Sequence, residues 1–285
     1  MPTRAETDLL VRDITLGDLA GAHALSRQLN WMHRPEDWEL MLRTGMGVVA
    51  EGEGEIVGTL LGWPYTDRFG NLGMVMVAEG WRRRGVATRM IAAMQGKMGG
   101  RTLRVTATAP ALPIFTKLGY QTVGTIHQHQ GTAFTVPIAP LSPGERVRPM
   151  TVRDVPLIIE LDRRSTGIDR TQVLQAVLEN ARGVVLERAG EAVGFGLFRR
   201  FGREYAIGPV VAPHERGAKL LITHWLGSRA GMFIRVDVPG DSGLSEWLGD
   251  MGLGLAGRET TMVLGEPAKG EPPLAPFAIL SQAFG

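Results

Sequence analysis

Apolar residues fall into two alternating textures along this chain. Short unbroken runs bounded by glycine read as strands, and stretches with apolar positions three or four apart read as helices. Residues 46–63 form two such runs joined by a tight turn at Glu53-Gly54-Glu55, and residues 182–200 repeat the pattern with a turn near Gly190. A strand is predicted over 70–77 and a helix over 82–98, where Val86, Met90, Ala93 and Met94 make an apolar stripe that reads as core. A strand over 102–106, a helix over 109–118 and strands over 120–127 and 132–137 follow. The resulting order, β-α-α-β-β-β-α-β-α-β-β, is a mixed α/β (α+β) domain.

The pattern occurs twice. Val11-Arg12-Asp13-Ile14-Thr15-Leu16-Gly17-Asp18 matches Val147-Arg148-Pro149-Met150-Thr151-Val152-Arg153-Asp154, 136 residues later. Gly47-Val48-Val49-Ala50-Glu51 matches Gly183-Val184-Val185-Leu186-Glu187 at the same offset, as Gly58 matches Gly194. A period this long indicates domain duplication rather than a solenoid. Each copy opens with Thr-x-x-Asp, at Thr15/Asp18 and Thr151/Asp154, a helix-start signal in which the hydroxyl caps free N–H groups. Val155, Ile158 and Ile159 continue at helical spacing. The seam, Ile138-Ala139-Pro140-Leu141-Ser142-Pro143-Gly144, suits a linker, so the expected domains are 1–139 and 145–285.

Composition narrows the chemistry. With 285 residues, 44% of them hydrophobic, there is material for two cores. A net charge of +2 gives no reason to expect nucleic acid or an anionic membrane. Without cysteine there are no disulfides, thiolate nucleophiles or thiolate metal sites, and no metal centre is expected. Nothing in the chain reads as a signal peptide or a bilayer-spanning run, so a cytoplasmic location is expected.

The sharpest local signal is Val77-Ala78-Glu79-Gly80-Trp81-Arg82-Arg83-Arg84-Gly85-Val86-Ala87-Thr88, running from a strand end into a helix start. Unpaired N–H groups at a helix N-terminus attract phosphate. Gly85 and Ala87 let the backbone approach a bulky anion, and three arginines add charge and donors. The bland alternative is a solvated basic turn. The strand-turn-helix context favours a phosphate cradle, although a Walker lysine and a Gly-x-Gly-x-x-Gly are both missing.

Arg82-Arg83-Arg84-Gly85-Val86-Ala87 resembles the Arg/Gln-x-x-Gly-x-Gly/Ala turn of the GCN5-related N-acetyltransferase (GNAT) family, and Ile114-Phe115-Thr116-Lys117-Leu118-Gly119-Tyr120 resembles that family's Leu-Gly-Phe/Tyr helix end. The resemblance covers about residues 9–137, and a second copy of the fold about 145–264. It implies transfer of an acyl group from acetyl-CoA, or another acyl-CoA, to the amine of a small-molecule acceptor. Val75, Met76 and Val77 would pair with the pantetheine arm as an extra strand would, and the turn from Arg82 through Arg83, Arg84, Gly85, Val86, Ala87 and Thr88 would hold the pyrophosphate. The thioester would lie between splayed strands at 70–77 and 102–106. Two other readings stay open, a non-catalytic acyl-CoA sensor and a protein N-acetyltransferase. The assembly is open too, a homodimer included.

The family's tyrosine acid is replaced by Phe115, and a thiolate can leave without one because a thiol has a pKa near 8.5. Tyr120, His127 and His129 are the candidate catalytic groups; the histidines are two apart on a strand and share a face. His33, Asp67 and Asn71 are candidates for the acceptor opening, alongside Arg68. In the second copy, Pro213-His214-Glu215-Arg216-Gly217-Ala218-Lys219 keeps only Gly217 of the turn pattern, so one coenzyme A site per chain is expected. Asp237 and Asp241 would then face an acceptor held between the copies, the alternative for Asp241 or Ser242 being a helix cap.

Overall fold

The computed structural model describes residues 9–134 and 140–285. Copy one comprises β1 (Leu10–Asp13), α1 (Leu19–Gln28), α2 (Pro35–Thr44), β2 (Met46–Gly52), β3 (Glu55–Pro64), β4 (Phe69–Val77), α3 (Val86–Met98), β5 (Thr102–Ala107), α4 (Leu112–Lys117) and β6 (Gln121–Thr132). Copy two follows with β7 (Glu145–Pro149), α5 (Val155–Thr166), α6 (Thr171–Leu178), β8 (Arg182–Arg188), β9 (Glu191–Phe201), β10 (Glu204–Ala212), α7 (Glu215–Ser228), β11 (Phe233–Pro239), α8 (Ser245–Asp250), β12 (Gly254–Leu264) and a short β13 (Ala275–Ala278). Among the described residues no helix is long and apolar enough to cross a membrane.

The duplication is visible in detail. β2 and β3 sit 136 residues before β8 and β9, each pair closed by a tight turn. The Thr-x-x-Asp starts form as paired local networks: Thr15 N–H and hydroxyl both donate to Asp18, which Arg12 clamps at 2.8 Å. Thr151, Asp154 and Arg148 repeat the arrangement. Each start forms a reciprocal capping box, and the threonine hydroxyl also donates to the carboxylate.

The two copies share one sheet. The strands form one sheet in the order β1-β2-β3-β4-β5-β12-β6-β11-β10-β9-β8-β7. The last long strand of copy two, β12, lies between β5 and β6 of copy one, and β6 in turn pairs with β11 of copy two. Each half therefore completes its sheet with the other's strand. Strands predicted over 120–127 and 132–137 are replaced through Thr132 by the single strand β6, long enough to bridge both neighbours. Ala133 and Phe134 follow it outside any strand, and residues 135–137 of the predicted second strand, with Ile138-Ala139 of the seam, lie outside the described residues.

Helices cover both faces. On one, α1 and α2 share a single core with α5 and α6, in which Trp38, Trp63, Phe195 and Phe284 are buried together. On the other, α3 and α4 cover copy one over Met90, Met94 and Phe115, while α7 and α8 cover copy two over Leu221, Trp225 and Leu248.

Candidate active site

Two features of β4 create a cleft. Its parallel pairing with β5 runs from Phe69↔Thr102 to Leu72↔Val105 and stops there. Its register against β3 then shifts, with Met74 at φ +54 and the Thr59 hydroxyl donating to the Met74 carbonyl at 2.8 Å. Bulges re-aim strands in this way. The β5-facing edge of β4 beyond Leu72 is left without a strand partner among the described residues.

From Val77 the chain turns into α3 through residues 78–85. Arg83 and Gly85 both take left-handed backbone conformations, at φ +61 and +76. The helix starts at Val86 with no side-chain cap, and a Cβ added at Gly85 would meet nothing within 4 Å. Exposed N–H groups, open space and three exposed arginines meet at one point, so the turn fits a phosphate group. Arg84 lies 5.1 Å from the Trp81 ring centre, and Arg82 sits 3.8 Å from Glu79.

The equivalent place in copy two is closed twice over. Only Pro213 and His214 link β10 to α7, and the His214 imidazole accepts from Gly217 N–H at 3.0 Å. A side chain thus fills the position a phosphate would take. Gly217 is not a turn glycine: it lies inside α7, where a Cβ would come 3.0 Å from Leu186. The cleft itself is occupied by chain. β10 and β11 pair in parallel only as far as Ile207↔Val236, and β13 adds antiparallel along the edge of β10 they leave, at Val210↔Ala278, Val211↔Pro276 and Ala212↔Ala275. Ile279 N–H donates across the gap to the Asp237 carbonyl at 2.9 Å.

In copy one the splay opens into a cavity of about 500 Å³ between the copies. Gly73–Val75, Thr106 and Phe115 form the β4–β5 side. Trp31 to His33, between α1 and α2, make one wall. The β9–β10 turn, Phe201 to Glu204, makes another, pinned by Gly202 N–H donating to Asp37 at 2.9 Å. Gln128 and Gln130 of β6, Arg235 of β11 and Glu259 of β12 complete the polar side.

His33 is on the cavity wall, edge-on to Phe201 with ring centres 5.3 Å apart. Among the described residues its Nδ1 has no partner, and burial pushes its pKa down to about 4, so the ring is neutral at physiological pH. Val75 lines the cavity, whereas Met76 is buried in the core and Val77 pairs with Gly58.

The other candidates fall elsewhere. His127 and His129 share a face as expected, but it is the face away from the cavity. Both rings meet Ser245 of α8, at 3.1 and 2.7 Å, and His129 Nδ1 also lies 2.9 Å from the Leu253 carbonyl. The alternating positions, Gln128 and Gln130, face the cavity instead. Tyr120 is a core residue packed edge-on against Phe115, its phenol pushed up to about 12 by burial. Asp67 is exposed in the turn before β4. Asn71 is buried and donates to the Ala283 carbonyl at 2.6 Å, tying down the segment after β13. Asp241 is exposed in the turn after β11; in that turn the Ser242 hydroxyl accepts from Leu244 N–H. Asp237 does not line the cavity but grips Arg235, which does, at 2.8 and 2.6 Å.

Glu204 and Glu259 are the carboxylates at the cavity, and both come from copy two. Burial raises both carboxyls, with Arg235 acting in the opposite direction. Neither belongs to a motif of the sequence, and strand exchange is what brings β12, with Glu259, to this cavity. The period-two pattern of β6 was the usable signal for Gln128 and Gln130, but it does not say which face looks inward.

Comparison with known proteins agrees with the geometry. Two models of the acetyltransferase (GNAT) domain match this chain, over residues 43–122 and 158–272. An uncharacterized N-acetyltransferase of Bacillus subtilis, YitH, is 25% identical over 190 residues, 65% of this chain and 66% of that relative, just short of two thirds of its length. Among solved structures, a candidate acetyltransferase of Pyrococcus horikoshii superposes with a TM-score of 0.80 at 20% identity, over 100% of this chain and 98% of the other. A tandem GNAT protein from the clavulanic acid biosynthesis pathway gives 0.67 at 14% identity, over 90% and 98%. The glucosamine N-acetyltransferase region of a fungal multi-domain β-N-acetylglucosaminidase gives 0.69 at 17%, over 91% of this chain and 38% of that one. At such identities the structural likeness speaks to fold.

Proposed function

Because the chain belongs to the acetyltransferase (GNAT) family and carries the domain twice in tandem, we propose that it is an acyl-CoA-dependent N-acyltransferase with one active site, using acetyl-CoA and a small-molecule amine. The observation that carries this reading is succession along one strand: β4 lines the 500 Å³ cavity between the copies through Val75, has a free edge beyond Leu72, and runs on from Val77 into the open turn at Arg82–Thr88. The turn would hold the pyrophosphate and main-chain groups of Val75–Val77 the pantetheine. Acetyl-CoA supplies the acyl group as a thioester, whose carbonyl carbon the amine attacks as the C–S bond breaks and the thiolate leaves.

The chain's own contribution is positional and electrostatic. Unpaired N–H groups on β4 support negative charge developing on the carbonyl oxygen. Glu204 or Glu259 takes the proton the amine gives up; a carboxyl raised by burial is the better base near neutrality. Neutral His33, Trp31 and Phe201 hold the body of the acceptor. Phe115 offers no acid, and a thiolate leaving group does not require one. An acceptor cavity of about 500 Å³ walled by both copies favours a small molecule over a protein substrate. Release of free coenzyme A from acetyl-CoA over an amine panel tests the proposal. Binding of acetyl-CoA without release for any amine would instead identify a sensor, the reading that Phe115 favours.

A further inference from the structure

We propose that the acceptor carries a second cationic group besides the amine that is acylated, as a short diamine does. The inference rests on the transferase reading above and names the substrate class of the same cavity.

The charged groups around the cavity sort into committed and uncommitted ones. Arg235 is committed, its guanidinium forked onto the Asp237 carboxylate. Arg34 and Asp37 hold each other at 2.9 Å, and Asp37 also accepts from Gly202 N–H. Arg199 is buried behind Phe201, 4.7 Å from its ring centre, and donates to the Leu280 carbonyl. Arg203 is exposed at the rim. Glu204 and Glu259 remain. They approach from different strands, β10 and β12, and among the described residues neither forms an ion pair or side-chain hydrogen bond.

Acyl transfer to one amine needs one base. The second carboxylate has no part in that proton transfer, and a half-buried carboxylate without a partner disfavours the ionised form. A second ammonium group supplies that partner. A monoamine would leave one carboxylate uncompensated. An acceptor ending in a carboxylate would meet two like charges, with Arg235 already paired. The amides of Gln128 and Gln130, joined at 3.0 Å, add a neutral polar wall. One nitrogen is acylated, losing its proton to one glutamate, while the other keeps its charge beside the second.

The test uses the full chain with acetyl-CoA and three acceptors of equal length: 1,4-diaminobutane, 1-aminobutane and 4-aminobutanoate. We expect kcat/KM for the diamine to exceed that for the monoamine by about tenfold or more, with the amino acid lowest. Of Glu204→Gln and Glu259→Gln, one should lower kcat for diamine and monoamine alike. The other should raise the diamine KM to the monoamine value and so abolish the difference between the two amines. Equal use of the two amines, or preference for 4-aminobutanoate, would overturn the inference while leaving the transferase reading intact. If acetyl-CoA binds but no amine releases coenzyme A, the transferase reading fails. Calorimetry then decides the inference: tighter binding of the diamine than of the monoamine, abolished in the double glutamine variant, sustains it, and equal binding refutes it.

Discussion

The two halves of this protein keep the same splayed pair of strands and put different things in the gap. In copy one, β4 parts from β5 after Leu72 and the space stays open to a cavity. In copy two, β10 parts from β11 after Ile207 and the chain lays β13 along the freed edge. An unpaired strand edge demands hydrogen-bond partners. Copy two meets that demand from within, and copy one leaves the edge of β4 without a strand partner among the described residues. The helix starts tell the same story: an eight-residue turn with bare N–H groups at α3, a two-residue link capped by His214 at α7. Copy two has thereby become a wall of the other copy's site, contributing Phe201, Glu204 and Arg235 to its cavity.

The strongest way to break this comparison is at the open turn. Gly85→Glu places bulk and negative charge where phosphate should sit, and should weaken coenzyme A binding by about a hundredfold or more. Titration calorimetry on the unaltered chain should show one site per chain; two sites would mean that copy two's cleft is not closed. Next in size is the proton acceptor. Burial raises the carboxyls of Glu204 and Glu259, so a base among them is protonated at acid pH and free only above the usual glutamate range. The rate should therefore climb with pH through an apparent pKa above that range. Replacing the responsible glutamate with glutamine should lower kcat by about a hundredfold and remove that limb. A limb that survives both substitutions would place the base elsewhere.

The filled cleft gives a smaller, structural effect. A Cβ at Gly208 would come 2.2 Å from the Ile279 carbonyl oxygen, so Gly208→Ala should displace the segment after β13 and cost about 1–3 kcal/mol in denaturant unfolding. No change in unfolding midpoint would show that this segment is not packed in the gap. Least affected should be the residues that face away. His127→Ala and Tyr120→Phe should hold kcat/KM within about twofold, because neither side chain borders the cavity. A loss on the scale of a general acid would return either residue to the chemistry.

Much of the fold is legible from local pattern. The hairpins 46–63 and 182–200, the helix stripe of Val86, Met90 and Met94, and the Thr-x-x-Asp starts are short-range features, set by periodicity and by contacts a few residues apart. The Arg82–Thr88 turn is legible for the same reason, since its glycine and arginines act within one loop. The position of His33, between two helices, is legible in the same way, and the residue lines the cavity. What the chain alone could not disclose is pairing over long separations. That β12 inserts between β5 and β6, and that β13 fills copy two's splay, depends on which free edge each strand reaches in three dimensions, and many registers satisfy the same apolar alternation. The facing of β6 followed from that choice: its two-residue period separates His127 and His129 from Gln128 and Gln130, but packing against α8 decided that the histidines turn to Ser245 and the glutamines to the cavity. Sequence determined the repeated units and the one turn that keeps its glycine and arginines; tertiary structure decided which carboxylates meet at the cavity, because Glu204 and Glu259 arrive from the other copy.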